Sequence, residues 1–537
     1  VSNITDREII NIVKEFYKAA GRYPTLAELE SNGVTREVIR QRFVNKGNLE
    51  AICEGELSTE ILEAPVINTL SKLKKRTKTY VIAGVQNNTN IDQDLMKTLQ
   101  KYAKHNNAEI LLMPMYYRNP TSVDESNRLD ASYWWDDSFD HDLCHYVTEN
   151  IELNPNLMLV PEHRINVTAA NPLSGLELVA GKSSAIFANP HMMMKLTATP
   201  QDKIPYMLHT TGTICGTDNF SKTNAGGKAK AYTVPGAVVV NLDGDMFHLR
   251  QLEYKEGCIC DLDKVYTSKK VTDIATLGQS AMVWGDIHAE IADTVVVEKS
   301  KELADVCNVG THYIHDVLDF ACQSHHNRKN YVMKYFLSKA GKDNVELAIR
   351  TVAEFVNDLT ETAEVKIVDS NHHDHLYRWL NETDFKQMGP ANAYFYICLM
   401  KKVMEEVMID ESKLILDNDN MLKLAIELLY DNASNYNKVE FLDRNKSHSL
   451  YDIELSQHGD VGLNGARGSI VGLSKTAMPM VIGHSHSPGI FRGIYQVGKT
   501  AYMEQSYTTG MSTHLHTHCI IYPNGGRALV NILAGRY

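Results

Sequence analysis

Five short loops in the second half of the sequence combine Asp, Asn and His at spacings that suit metal chemistry. The run Ala281-Met282-Val283-Trp284-Gly285 reads as a buried strand that ends on Asp286 and His288. That D-x-H spacing puts both side chains on one side of the strand end, where they can hold one cation. Asp316 follows the apolar pair Tyr313-Ile314, and a carboxylate with two oxygens can bridge two cations. The strand-like run Val365 to Val368 delivers Asn371 and His372. An amide oxygen is a hard ligand, and His is a good general acid near neutral pH. Ile453-Glu454-Leu455 leads to His458 and a Gly-rich loop reaching Gly468. Met480 to Gly483 leads to His484 and His486. Any one of these His residues would be read as a hydrogen-bonded core or loop residue. The ordered set points instead to a metal centre.

In order, D-x-H, D-x-x-D, N-H, a lone His and G-H-x-H, the series resembles the calcineurin-like metallophosphoesterase superfamily over roughly residues 276–500. The resemblance implies an α/β fold, an αββα sandwich with mixed sheets. It implies two divalent cations, one on Asp286, His288, Asp316 and His486, the other on Asp316, Asn371, His458 and His484. Such a mixed N/O donor set suits Mn²⁺, the expected ion, with Mg²⁺, Fe or Zn²⁺ as alternatives, better than Ca²⁺. The implied chemistry is in-line attack on a phosphodiester by a hydroxide held between the cations. His372 would be the catalytic residue that stabilises or protonates the leaving oxygen. Two positions depart from the pattern. His315 stands where the family usually has Gly, and Ser370 replaces the first Gly of the third motif. The acidic residue of that motif, Asp374, sits one place late, which leaves open what orients His372.

A chain of 537 residues is too long for one ordinary core, so two or three domains are expected. The catalytic domain is expected over 276–537, with a helix from about Asn344 to Leu359 whose Val345, Ile349, Val352, Val356 and Leu359 share one face. Residues 79–275 open as β-α-β, with a strand at Val81 to Val85, a helix around Leu95 to Ala103 and a strand at Ile110 to Met113. No catalytic constellation falls there. The reading is an α/β accessory domain, with a degenerate phosphoesterase copy as the alternative. Residues 1–55 read as three short helices in a helix-turn-helix layout. They run from Asp6 to Ala20, from the Thr25 cap, and from Arg36 to Phe43. Arg36, Arg40, Gln41 and Arg42 are the candidate DNA contacts, the alternative being a helical bundle that docks on a partner. Residues 56–78 form a linker that ends in the basic run Lys72 to Lys78.

The helix-turn-helix arm points to DNA as partner, and so to a nuclease. The catalytic segment is most similar to the nuclease subunit of double-strand-break repair, an exonuclease and endonuclease. The whole chain resembles a bacteriophage pre-early protein that degrades host DNA. A nucleotide or protein phosphoesterase, and a DNA-binding regulator with an inactive phosphoesterase domain, stand as alternatives. The formal net charge of -12 excludes a protein coated in basic surface. Local Arg and Lys clusters and bound cations can still supply a positive field. Arg467 in the Gly-rich loop is a candidate phosphate contact. His325-His326-Asn327-Arg328 could reach substrate phosphate or form a surface loop. His514, His516 and His518 alternate as a polar strand face would, with a third cation site as the alternative. Nine scattered cysteines, and neither a signal peptide nor an apolar run of membrane-spanning length, suit an intracellular, cytoplasmic protein. For a phage protein that means the host cytoplasm. The middle segment could also serve self-association into a homo-oligomer.

Overall fold

The computed structural model describes residues 6–36, 38–39, 46, 49–50, 53, 78–117, 135–136, 138–218, 220, 222–409, 418–429, 436–504 and 509–537. They form a mixed α/β structure with an eight-stranded, a six-stranded and a ten-stranded sheet. Among these residues no helix is long and apolar enough to cross a membrane.

Two stretches of chain follow one plan. In the eight-stranded sheet, Thr79–Gln86 runs parallel to Glu109–Met115, which is parallel to Cys144–Tyr146. On its other side it is antiparallel to Gly236–Asp243, which pairs antiparallel with Met246–Lys255. The six-stranded sheet repeats this. Ser280–Val283 is parallel to Val309–Ile314, itself parallel to Glu364–Val368. It is antiparallel to Thr517–Ile521, which pairs antiparallel with Arg527–Asn531. Each stretch then gives five strands to the ten-stranded sheet. The first gives the hairpin Ile151–Asn154 and Leu157–Leu159, then Ser184–Phe187, Tyr206–Thr210 and Met194–Thr197. The second gives Ser449–Leu450 and Ile453–Glu454, then Met480–Ile482, Ile494–Gln496 and Gly489–Phe491, with the same pairing directions. The two sets meet antiparallel at Met194 and Ile490.

The boundary expected at residue 275 therefore does not separate two domains. Ile82, Leu111, Ile186 and Val238 share one core with Val283, Tyr313, Val481 and Leu529. Leu529 N–H donates to Gln251 Oε1 across the junction at 2.7 Å. Sheet partners are chosen by non-local burial, which a linear composition shift does not record.

Helices cover the outer faces. Val345–Thr360 starts at Asn344, whose side chain accepts from Leu347 N–H. Its buried Ile349, Val352, Val356 and Leu359 pack with Trp379 and Leu422 on the six-stranded sheet, on the face predicted from the sequence. Parallel strands covered on both faces need continuous apolar runs, and all four residues of Ser280–Val283 are buried. Gln93–Asn106 covers the eight-stranded sheet in the same way.

The N-terminal helices Asp6–Ala20 and Leu26–Ser31 lie where the sequence places them. Thr25 and Glu28 form a reciprocal capping box. Ile9, Val13, Leu29, Val34, Val38 and Ile39 make a separate small core. Arg36 is exposed, its Nε 3.2 Å from Glu30 Oε1. Arg40, Gln41 and Arg42, and the basic run apart from Lys78, lie outside the described residues.

Candidate metal centre

The ends of strands from two facing sheets converge. Asp286, His288, Asp316, Asn371 and His372 follow strands of the six-stranded sheet, while His458, His484 and His486 follow strands of the ten-stranded one. One donor atom each from Asp286, His288, Asp316 and His486 lies within 4.8 Å of the others, and the same holds for Asp316, His458 and His484. Asp316 belongs to both groups. His458 Nε2 is 3.1 Å from Asp316 Oδ2, and His486 Nε2 is 3.3 Å from Asp286 Oδ2. His288 Nε2 and His486 Nε2 face each other at 3.1 Å, and Asn371 Oδ1 sits 3.0 Å from His484 Nδ1. The structure thus gathers every residue of the expected ligand set.

The donor set fits divalent cations. Asp286 and Asp316 are almost wholly buried. Both Asp286 oxygens and Asp316 Oδ1 have no hydrogen-bond partner. Buried carboxylate oxygens without a hydrogen bond are costly, and a bound cation removes that penalty. The backbone is strained at the same places: His288, Asp316, His484 and His486 have φ of 46°, 43°, 72° and 57°. Such left-handed non-Gly residues gather at sites the surrounding structure over-determines. Gly483 has a clear reason to be glycine, since a Cβ there would meet Asp286 Oδ1 at 2.3 Å.

Several supporting residues were given no role by the sequence. Asp319 Oδ1 lies 3.2 Å from His288 Nδ1, which leaves His288 Nε2 as the cation-facing nitrogen. His372 Nδ1 lies 3.1 Å from the Asp319 carbonyl, so its Nε2 is the nitrogen available to the cleft. Glu290 in turn accepts from the Asp319 and Phe320 N–H groups at 2.8 and 2.9 Å. His288, Asp319 and His372 also have donors within 4.8 Å of one another. We read them as an orienting set, because the Asp319 carboxylate and carbonyl occupy the two Nδ1 atoms. Asp374 is not the partner of His372. It faces Arg444 at 3.6 Å, beside Asp369, which Arg444 Nε also contacts. His315, in place of the usual Gly, puts Nδ1 3.2 Å from His458 Nδ1 and so braces that ring.

Arg467 lines a cleft of ≈ 600 Å³ together with Asp316, Asn371, His372, His484, His486 and His514. The alternating histidines do not act as one set. His514 meets His486 edge to face with ring centroids 5.1 Å apart, His516 Nε2 is 3.0 Å from the Ala501 carbonyl, and His518 Nδ1 accepts from Gly285 N–H. Their spacing carries no signal that would have separated these roles.

The first stretch presents the same backbone without the cluster of donor side chains. Asp286 N–H donates to the Gly498 carbonyl and Thr500 N–H to the Asp286 carbonyl, while Gly84 N–H donates to Gly212 and Ile214 N–H to Gly84. Gly84 therefore stands where Asp286 stands. A Cβ on Gly84 would meet Gly212 O at 2.6 Å, so no carboxylate fits there. Val497 N–H bonds the Ile482 carbonyl and Thr211 N–H that of Phe187, which sets Asn189 and His191 at the positions of His484 and His486.

Protonation and cation binding compete at this centre. Burial pushes the Asp286 carboxyl up to about 7. Burial lowers His458, but Asp316 and Asp286 outweigh it and hold the imidazole up at about 9. Both groups must shed a proton to bind a cation. Raised folded values mean that their protonated forms stabilise the metal-free protein at low pH. That contribution is lost as pH rises through about 7 and then about 9. Cation binding compensates in the same window. The gain in Tm on Mn²⁺ over EDTA is therefore expected to grow from about pH 6 to about pH 9. Thermal scans at matched pH check this, and a gain largest at pH 6 would mean that other groups hold the cation.

The chain is 29% identical to Protein A1 of Escherichia phage T5 over 491 residues, which is 86% of this chain and 83% of that protein. That relative is a phage protein, in line with the whole-chain resemblance. No protein-family model matches the sequence. Two crystal structures of Chaetomium thermophilum Vps29, one with a bound cyclic peptide, are 10% and 11% identical to it. They cover 36% of this chain and 95% and 96% of their own, with TM-scores of 0.19, too low to carry an argument.

Proposed function

We propose that the protein is a two-metal phosphodiesterase of the metallophosphoesterase type that hydrolyses DNA. One observation carries the reading: a single buried carboxylate, Asp316, is shared by two adjacent groups of His and Asp donors. A shared carboxylate between two N/O donor sets is what a two-cation phosphoryl centre requires. Asp286, His288, Asp316 and His486 would hold one ion, and Asp316, Asn371, His458 and His484 the other. Bound divalent cations, Mn²⁺ first among them, supply Lewis acidity and neutralise phosphoryl charge.

The chain's own residues do the rest. Asp319 holds His288 and His372 in orientation. His372 gives a proton to the leaving oxygen through Nε2, and Arg467 contacts the phosphate across the cleft. DNA as substrate is supported by the N-terminal helices, where Arg36, Arg40, Gln41 and Arg42 would meet the duplex, and by the similarity to a phage protein. On this reading residues 79–255 are a degenerate phosphoesterase copy, and the site of action is the host cytoplasm.

Purified protein is expected to cleave linear and circular double-stranded DNA with Mn²⁺ and not with EDTA. Turnover of bis-p-nitrophenyl phosphate without any DNA cleavage would sink the nuclease reading and point to a nucleotide or protein phosphoester.

A further inference from the structure

We propose that residues 320–342 form a strand-binding arm that holds a single polynucleotide strand leaving the metal centre. Its bases would stack on Tyr331, Tyr335 and Phe336, and its phosphates would face Lys329, Lys334, Lys339 and Lys342. The inference rests on the nuclease reading and adds the track of the substrate.

The composition of the segment is the first support. It carries Arg328, Lys329, Lys334, Lys339 and Lys342 and no Asp or Glu, within a chain of net charge -12. Arg328 is committed to Glu382 and Thr383, so it anchors the arm. Among the described residues the four lysines have no carboxylate within ion-pair range.

The helix Tyr331–Lys339 is the second support. It buries none of its residues. Tyr331, Tyr335 and Phe336 are 82%, 60% and 61% exposed. A helix on a globular surface ordinarily turns its aromatic residues inward. Aromatic faces interleaved with lysines are the pattern of single-strand binding, where bases stack and cations follow the backbone. A docking face for a protein partner would deplete lysine instead. Nine residues of helix run roughly 14 Å, about four nucleotides at the ~3.4 Å rise of one strand.

Continuity with the centre is the third. The segment leaves directly from Asp319, which orients His288 and His372. From His372 a run of imidazoles leads outward: His375 at 5.0 Å, His325 a further 5.0 Å, and His326 3.8 Å beyond. Arg378 Nη1 donates to His325 Nε2 at 3.3 Å, within the run. Imidazoles and a guanidinium grouped between the centre and the arm suit the phosphates next to the scissile one.

The test uses the full chain with a fluorescein-labelled dT₂₀ probe, read by anisotropy in EDTA, beside Mn²⁺-dependent hydrolysis of bis-p-nitrophenyl phosphate. The double variants Tyr335→Ala/Phe336→Ala and Lys334→Ala/Lys339→Ala are each expected to weaken dT₂₀ binding by about tenfold. The lysine pair should also lower the slope of log K against log salt by about 1.4. The small ester is too short to reach the arm, and its kcat/KM should move by less than about twofold. Unchanged dT₂₀ binding in both variants would overturn the proposal, as would a fall in solution mass with binding intact, which would assign the helix to a protein contact. Should a double variant fail to fold, Tyr331→Ala at the most exposed position decides in the same way. Wild-type protein that binds dT₂₀ yet hydrolyses neither DNA nor the small ester would remove the nuclease reading and leave the arm standing.

Discussion

Asp316→Asn is expected to abolish DNA cleavage and to empty both cation sites together. Asn matches Asp in size and tolerates the left-handed backbone, so the φ of 43° is not the reason for the loss. What goes is the negative charge that both donor groups share. In the metal-free protein, burial works against the Asp316 carboxylate, but His458, His372 and His288 outweigh it and hold it ionised. A neutral amide there leaves each cation with one anionic donor fewer at a site where water cannot replace it. A loss in kcat/KM on the order of 10⁴-fold or more follows, about 5.5 kcal/mol of transition-state stabilisation. Metal content after dialysis and kcat/KM on DNA measure it. A variant that keeps two ions and most of its activity would remove Asp316 from the bridging role.

His372→Ala separates the chemistry from the metals. His372 has its Nδ1 on the Asp319 carbonyl and belongs to neither group that shares Asp316. Metal content is therefore expected to stay, while kcat on DNA falls by about 10²–10⁴-fold, the usual worth of a positioned proton donor. The leaving oxygen of DNA needs a proton, whereas a nitrophenolate does not. The loss on bis-p-nitrophenyl phosphate should accordingly be much smaller than the loss on DNA. Equal losses on the two substrates would show that His372 positions the phosphate or its neighbours instead of protonating the leaving group. Burial holds the His372 imidazole below its ordinary pKa, so the protonated ring that gives the proton is most populated at low pH. Its contribution should fade as pH rises.

The cluster of candidate donors was legible in the sequence because each of these residues follows a short apolar run. Asp286, Asp316, Asn371 and His484 are where the pattern of buried strand and polar loop places them, and local hydrophobicity is enough to show that. Helices such as Leu26–Ser31 and Val345–Thr360 were legible for a similar reason, since apolar periodicity and a Thr or Asn cap act within a few residues. The partner of His372 was not legible. Asp374 is adjacent in sequence, yet a helical turn carries it to Arg444, and the Asp319 loop arrives from another strand to take the ring. The sequence offered a degenerate copy at residues 79–275 only as an alternative, since the repeated plan of 79–255 leaves little local trace. Gly84 and Asn189 keep the backbone positions of Asp286 and His484 without the side chains that announce them. The joint ten-stranded sheet depends on Met194 meeting Ile490 from nearly 300 residues away. The sequence by itself determined which side chains could do chemistry and which segments pair an apolar face with a polar one, because those properties are local. Only the tertiary structure decided which strands share a sheet, which carboxylate orients which imidazole, and how one chain joins a half that gathers His and Asp donors to a half that lacks them, because these follow from non-local burial that closes only when the whole core forms.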